Sequence, residues 1–180
     1  MPRTELHLTL FAADDDRRIA ALAAAAVGLT LAEAAIPLPL PGVKPGLANI
    51  IGLAVLCRYG WSSAAWVTLL RVVAGALLLG TFLTPSFVLS LSGALLSLLC
   101  MGLAIRLYPR LLGPVGLSVL GAFAHMGAQL LVVNLWLMPA VSLLGLAPPF
   151  LTVAWITGLV NGLAAAWLIV AMADGRAGDE

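Results

Sequence analysis

Charged side chains are scarce in this sequence. Lys, Arg, Asp and Glu make up 9% of its 180 residues, whereas about a quarter of the residues of an average soluble domain are charged. Hydrophobic residues make up 62% of the chain, and its mean hydropathy is +1.10. This composition indicates an integral membrane protein in contact with a lipid bilayer. The chain also lacks a basic patch with interleaved aromatic residues, which argues against nucleic acid as a partner.

Sequence motifs of catalysis and of metal binding are missing too. No Gly-rich phosphate loop, nucleophile elbow or metal-spaced cluster of His and Cys occurs. The two cysteines, Cys57 and Cys100, match no metal or redox spacing, so we interpret them as small core residues. We therefore predict a protein that is not an enzyme and uses no catalytic residue, metal ion or cofactor. The first residues lack the pattern of a cleavable signal peptide, so we expect them to remain attached and cytosolic.

Hydrophobic segments alternate with short connections along the chain. About 20 apolar residues cross a bilayer core, and six segments approach or reach that length: residues 19–36, 47–57, 62–83, 86–107, 114–138 and 150–172. The second is short for a span unless its helix begins within residues 45–47 and runs to Tyr59. We predict an all-α polytopic membrane protein with six transmembrane helices. Its parts are a cytoplasmic tail at 1–17, a six-helix domain at 18–173 and a second cytoplasmic tail at 174–180.

The connection between the first two segments, residues 37–53, reads PLPLPGVKPGLANIIGL. Its prolines rule out a continuous helix, because each removes a backbone donor and restricts the residue before it. We predict an ordered, non-helical, proline-rich hairpin. Non-helical backbone at membrane depth is tolerated where it is buried in protein or lines a polar cavity, so the hairpin is a candidate wall or lid of a binding site. An ordinary external loop with a Gly-Pro turn is the alternative.

Basic residues near the segment ends predict the orientation. The tails and the connections that follow segments 2 and 4 contain six of them: Arg17, Arg18, Arg58, Arg106, Arg110 and Arg176. The other three connections contain only Lys44. Because cytoplasmic loops carry the excess of Lys and Arg, we predict that both termini are cytoplasmic and that the hairpin is external.

Ionisable residues within membrane segments are costly, so each is a functional candidate. There are three, namely Glu33, Arg71 and His125. Gln129 follows His125 at the spacing that stacks side chains on one face of a helix, and Asn49 enters from the hairpin side. Counting residues along the segments places all five in the outer half of the bundle.

These residues predict a site for a small molecule. Arg71 suits an anionic group, because its planar fork binds carboxylate or phosphate through two N–H groups. His125 and Gln129 would supply oriented hydrogen bonds, and Glu33 or Lys44 would complement the charge. The alternative is an ion pair between Glu33 and Arg71, with the other two side chains bonding across helices.

Three stretches resemble a known bacterial membrane family. They are the hairpin at 37–53, the Arg71 segment followed by GALLLGTFL, and GLSVLGAFAHMGAQLLV at 116–132. The family is described both as "Gx transporter" and as "heptaprenyl diphosphate synthase component I". The motif positions that the resemblance singles out are Pro41, Gly46, Asn49, Arg71, Ser118, Gly121, His125 and Gln129. Asn often follows the histidine in that family, where this chain has Met126.

The family is similar in size and hydropathy to the substrate-binding S components of energy-coupling factor transporters. That similarity implies a membrane subunit of the bacterial cytoplasmic membrane that binds a small anionic or amphipathic molecule for uptake. It also implies docking onto a transmembrane coupling protein with ATPase subunits, through Ala20, Ala24 and Gly28 of the first helix. Small residues four apart let helices approach closely, although generic packing explains them equally. The alternative function is a non-catalytic accessory subunit for isoprenoid or quinone metabolism or for membrane electron transfer.

Overall fold

The computed structural model describes residues 14–35, 48–108, 110–137, 139 and 143–177. These residues form α-helices without any strand, which confirms the all-α class. The helices are α1 (Asp14–Ala35), α2 (Ala48–Tyr59), α3 (Trp61–Leu78), α4 (Pro85–Ala104), α5 (Pro114–Val132) and α6 (Leu143–Ala177). A short 3₁₀ turn, Ile105–Leu107, extends α4, and a π-helical segment, Val133–Leu137, extends α5. Residues 37–47 of the predicted hairpin, including Lys44, lie outside the described residues.

Five of these helices are long and apolar enough to cross a membrane, namely α1, α3, α4, α5 and α6. The protein is therefore a multi-pass membrane protein. Helix α2 is apolar, but its 12 residues extend about 18 Å, which is less than the roughly 30 Å of a bilayer core. The sixth span stays a prediction, because the residues just before Ala48 lie outside the described part of the chain.

Residues 48–53, the last part of the proline-rich stretch, form the start of α2, close to the predicted start of the second hydrophobic segment at residue 47. The predicted non-helical connection does not extend over these residues, because its last proline is Pro45. Helix α6 begins earlier than expected: it starts at Leu143 and contains Pro148 and Pro149, so most of the connection between the fifth and sixth predicted segments, residues 139–149, is helical. Proline's fixed φ is compatible with a helix, and membrane helices tolerate the lost hydrogen bond where neighbours replace it.

Helix α3 ends earlier than expected. The hydrophobic run continues to Leu83, but the helix stops at Leu78. Gly80 and Leu83 then adopt positive φ values of 66° and 61°, which a right-handed helix does not permit. The resulting turn reverses the chain into α4.

The short helix α2 forms the centre of the bundle. It packs against α1, α3, α5 and α6, while α5 lies between α4 and α6. The largest fully buried side chains are concentrated on it and on the helices that face it: Leu53, Val55, Leu56, Val67 and Leu117. Cys57 packs at the edge of this core and Cys100 is half-buried.

One end of the bundle carries the basic residues. The Arg18 guanidinium lies over the ring of Tyr59, 5.3 Å from its centroid, so the start of α1 is next to the end of α2. Arg58 lies in the last turn of α2, and Arg106 lies at the end of the extended α4. The helices alternate in direction, so the opposite end is formed by the ends of α1, α3 and α5 and the starts of α2, α4 and α6.

Glycines allow α5 and α6 to pack with their backbones close together. A Cβ atom at Gly158 would lie 2.9 Å from the Cα of Val119, and one at Gly162 would lie 2.6 Å from the Cα of Val115. Such spacing of small residues lets membrane helices associate through van der Waals packing. The contacts run in opposite order along the two helices, which are therefore antiparallel.

We expect Gly162→Ala to destabilise the protein by about 1 to 3 kcal/mol, because the added methyl group must push the α5 backbone away. Thermal unfolding in mild detergent would measure the loss. Gly28→Ala is the matched control, since a Cβ at that position meets nothing within 4 Å. Equal unfolding temperatures for the two variants would contradict the close packing.

Candidate functional site

A cavity of about 410 Å³ lies at the end of the bundle opposite the basic residues, and all six helices line it. Helices α1 and α3 contribute residues from their second halves, α2 and α4 contribute residues from their first halves, and α5 and α6 contribute residues within 122–129 and 154–161. The cavity's polar lining comprises Thr30, Glu33, Asn49, Arg71, Thr81, Ser86, Ser90, His125, Gln129, Thr157 and Asn161. Pockets of this volume, largely apolar with a few convergent polar groups, are typical ligand sites.

Arg71 lies at the deep end of the cavity. It follows Trp61 by ten residues, or about 15 Å along α3, which is half the thickness of a bilayer core. Its Nη2 atom donates a hydrogen bond of 3.0 Å to the Oδ1 atom of Asn49. A guanidinium has five N–H donors, and one of them bonds to Asn49. Arg71 also lines the cavity, so its side chain is within reach of a molecule bound there.

The start of α2 adds positive electrostatic potential at the same depth. Asn49 is the second residue of that helix, so the hydrogen bond to Arg71 places the guanidinium beside the helix N-terminus. The aligned peptide dipoles make a helix N-terminus partially positive. The deep end of the cavity therefore favours an anionic group.

Glu33 provides a negative charge in the same cavity. It lies in the last turn of α1, lines the cavity and is 4% exposed. Its carboxylate interacts electrostatically with Arg71. The described wall of the cavity therefore carries one acidic and one basic side chain, on different helices.

His125 and Gln129 form a hydrogen-bonded pair on α5. The Nε2 atom of Gln129 lies 3.1 Å from the Nε2 atom of His125, so the amide can donate to the ring when Nδ1 carries the proton. The ring rests on α4, where a Cβ atom at Gly93 would lie 2.7 Å from Cε1. The Nδ1 atom is buried and forms no hydrogen bond with the described residues, although the Gly93 backbone lies close by. Gly93 thus sets the position of the pair.

A smaller chamber of about 20 Å³ adjoins the cavity. It shares Asn49 and Asn161 with the larger cavity and is also lined by Ser97 and Ser118. Gly121 closes it, since a Cβ there would lie 2.9 Å from the hydroxyl oxygen of Ser97. A polar space of this volume accommodates one water molecule.

Comparison with protein families identifies the chain's relatives. The family model for heptaprenyl diphosphate synthase component I matches residues 22–168. The chain belongs to this family. Every described residue of the two cavities lies within the matched range, and the resemblance seen in the sequence is confirmed. Comparison with curated proteins and with solved structures gives no match.

In this member of the family, five of the six predicted ligand-binding residues line one cavity: Glu33, Asn49, Arg71, His125 and Gln129. The sixth, Lys44, lies outside the described residues. The structure shows where these side chains meet, and their role in binding stays a prediction.

Other polar lining residues were missed or treated as structural in the sequence. Ser86 and Ser90 on α4, and Thr157 and Asn161 on α6, are not among the residues that the sequence predicts for the site. Each helix presents its pair four residues apart, which is the spacing of one helical face. Small polar residues repeated at that spacing in an apolar segment were the available signal.

The predicted docking residues of α1, namely Ala20, Ala24 and Gly28, are all exposed. The large hydrophobic side chains on the described surface all lie between Trp61 and Val170. The exposed face of α1 beyond its first turn therefore consists of alanine and glycine. Docking of a partner on this face stays a prediction.

We expect Gly93→Ala to displace the His125 ring and to destabilise the protein. The same substitution made together with His125→Ala should cost little, because the ring that the methyl group meets is gone. Thermal unfolding of the two single variants and the double variant measures this coupling. Gly127→Ala, which adds a methyl group to an open exposed position of α5, should be neutral. Additive effects of the two substitutions would contradict the contact.

Proposed function

We propose that this protein is a substrate-binding membrane subunit that accepts a small anionic or amphipathic molecule for uptake and has no catalytic activity of its own. The observation that carries the proposal is the guanidinium of Arg71, held by Asn49 at mid-membrane depth in the lining of a cavity. Apolar walls around that charge suit an amphipathic ligand, because they bury its nonpolar part.

Energetics favours a binding role for Arg71 over a purely structural one. A charged side chain near the middle of a bilayer costs several kcal/mol, and a buried ion pair often contributes no more stability than apolar residues of similar size. A protein that needed only stability would do equally well with leucine there. Retention of the charge is explained if the guanidinium binds a ligand.

The distribution of basic residues supports an orientation. Arg17, Arg18, Arg58, Arg106 and Arg110 lie at the end of the bundle opposite the cavity. By the positive-inside rule that end is cytoplasmic, so the cavity opens to the outside of the bacterial cytoplasmic membrane and both termini are inside. In this arrangement α2 completes a sixth span together with the residues before it, and the proline-rich hairpin is external.

The exposed face of α1 is our candidate for partner docking. Ala20, Ala24 and Gly28 present a surface without large side chains, on which another membrane helix can pack closely. In the uptake proposal, which follows the S components of energy-coupling factor transporters, the partner is a transmembrane coupling protein that carries ATPase subunits.

The family description favours a second candidate function. A "component I" of heptaprenyl diphosphate synthase implies a partner synthase component. The chain would then be a non-catalytic accessory subunit for isoprenoid or quinone metabolism, or one that docks an electron-transfer enzyme. Neighbouring genes for ATPase and coupling proteins would favour uptake, and genes for prenyl synthases or flavoproteins would favour the accessory role.

We expect native mass spectrometry of the protein, purified from its own membrane in mild detergent, to show one bound small molecule. Arg71→Ala should lose this molecule, because the anionic group loses its partner. Arg106→Ala is the matched control, since that arginine is exposed at the opposite end of the bundle. Binding in the control should equal that of the wild type. A protein that carries no ligand but retains a stoichiometric enzyme partner in all three forms would replace this proposal by the accessory role.

We expect Gly28→Leu to abolish co-purification of the partner complex while ligand binding is unchanged. A leucine side chain would keep a partner helix from packing closely on α1. The fold itself has open space at that position, so the substitution should not disturb it. Gly127→Leu places the same bulk on an exposed part of α5 and should leave the complex intact. Pull-down from solubilised membranes followed by protein identification measures both. Loss of the partner in both variants, or in neither, would argue against α1 as the docking helix.

A further inference from the structure

The charges of the cavity restrict the class of ligand further than the proposed function does. Two charged side chains, Arg71 and Glu33, line the described part of the cavity. Arg71 donates a hydrogen bond to Asn49 and interacts electrostatically with Glu33. A cation and an anion therefore face one space from helices α3 and α1.

Charge balance distinguishes between possible occupants. An uncompensated charge buried in a low-dielectric site costs several kcal/mol. A single anion bound to Arg71 neutralises that cation, so that the cavity and its ligand together carry a net negative charge from Glu33. A phosphate monoester adds a charge of about −1.5 to −2 at neutral pH. A diphosphate adds still more negative charge. A molecule with one anionic and one cationic group leaves the sum unchanged.

Both ends of such a molecule find suitable partners. The fork of Arg71 can donate two N–H groups to a carboxylate. A carboxylate has about four acceptor positions, so Glu33 can accept from an ammonium group while it keeps its other contacts. The amide nitrogen of Gln129 is paired with His125, so the carbonyl oxygen of Gln129, a residue of the cavity lining, can act as an acceptor.

The volume of the cavity is that of a small-molecule site. Its 410 Å³ fall within the roughly 300 to 1,000 Å³ of ligand pockets in proteins. A compact molecule such as an amino acid fits in such a space.

We propose that the cavity binds a small zwitterion of the amino acid type, with its carboxylate on Arg71 and its protonated amine on Glu33. The inference rests on the proposed binding function and narrows it to one class of molecule. Prenyl diphosphates and simple anions are then poor ligands of this site.

Thermal-shift measurements on the full chain in detergent test the proposal. The probes are the free L-amino acids, each beside its N-acetyl derivative, which lacks the cation, and its methyl ester, which lacks the anion. Inorganic pyrophosphate is the multiply charged anion. At least one amino acid should raise the unfolding temperature, while its two derivatives and pyrophosphate should not.

Substitutions show which charged side chains bind the amino acid. Arg71→Gln and Glu33→Gln should each weaken binding of the active amino acid by about tenfold or more, which corresponds to the loss of one favourable charge contact. Arg71→Lys tests the fork, because it keeps the charge and should still weaken binding. Arg106→Gln is the control and should bind normally. Because Glu33→Gln is nearly isosteric, its unfolding temperature without probe shows whether the fold is retained.

Several results would overturn the zwitterion proposal. They are a failure of every amino acid to stabilise the wild type, a response to an N-acetyl derivative or to pyrophosphate as large as that to the parent amino acid, and tighter binding in Glu33→Gln. The last result identifies a simple anion as the ligand. Native mass spectrometry separates this failure from failure of the proposed function, because it detects a bound molecule whatever its charge.

Discussion

The hydrogen bond between Arg71 and Asn49 is the interaction on which the arrangement of this membrane protein depends. Lipid cannot satisfy a guanidinium halfway through the bilayer, so polar groups of the protein must reach it. Asn49 does so because α2 begins at that depth, and the same short helix fills the centre of the bundle below it. The hydrogen bond therefore brings the guanidinium and the start of α2 together at the deep end of the cavity.

Small residues make this arrangement possible in a bundle that has no hydrophobic driving force between its helices. Gly158 and Gly162 bring α6 against α5, and Gly93 accepts the ring of His125 on α4. Close backbone contact supplies the van der Waals energy that holds membrane helices together. It also positions polar side chains of the cavity wall, because the His125 ring of α5 packs on Gly93 of α4.

The cost of charge in lipid explains what the sequence could predict. Glu33, Arg71 and His125 stand out because an ionisable residue in an apolar segment is expensive, and the structure brings them to one cavity. Thr157 gives no such signal, since its hydroxyl bonds to the carbonyl oxygen of Val153 one turn back and is satisfied without a site. The pairing of Arg71 with Asn49 depends on helix rotation, which hydropathy does not report. The early end of α3 and the prolines inside α6 depend on backbone angles that tertiary packing decides.

The two proposed functions share a surface and differ in the cavity. An importer subunit and an accessory subunit both need a partner, and the exposed small residues of α1 would serve either one. Docking alone therefore cannot separate them. The cavity can, because one carboxylate and one guanidinium line its described part, and this pair matches a compact molecule with balanced charge better than a multiply charged diphosphate. If the family's accessory role applies to this chain, the prenyl substrate must be held by the partner, and the cavity around Arg71 must bind something else.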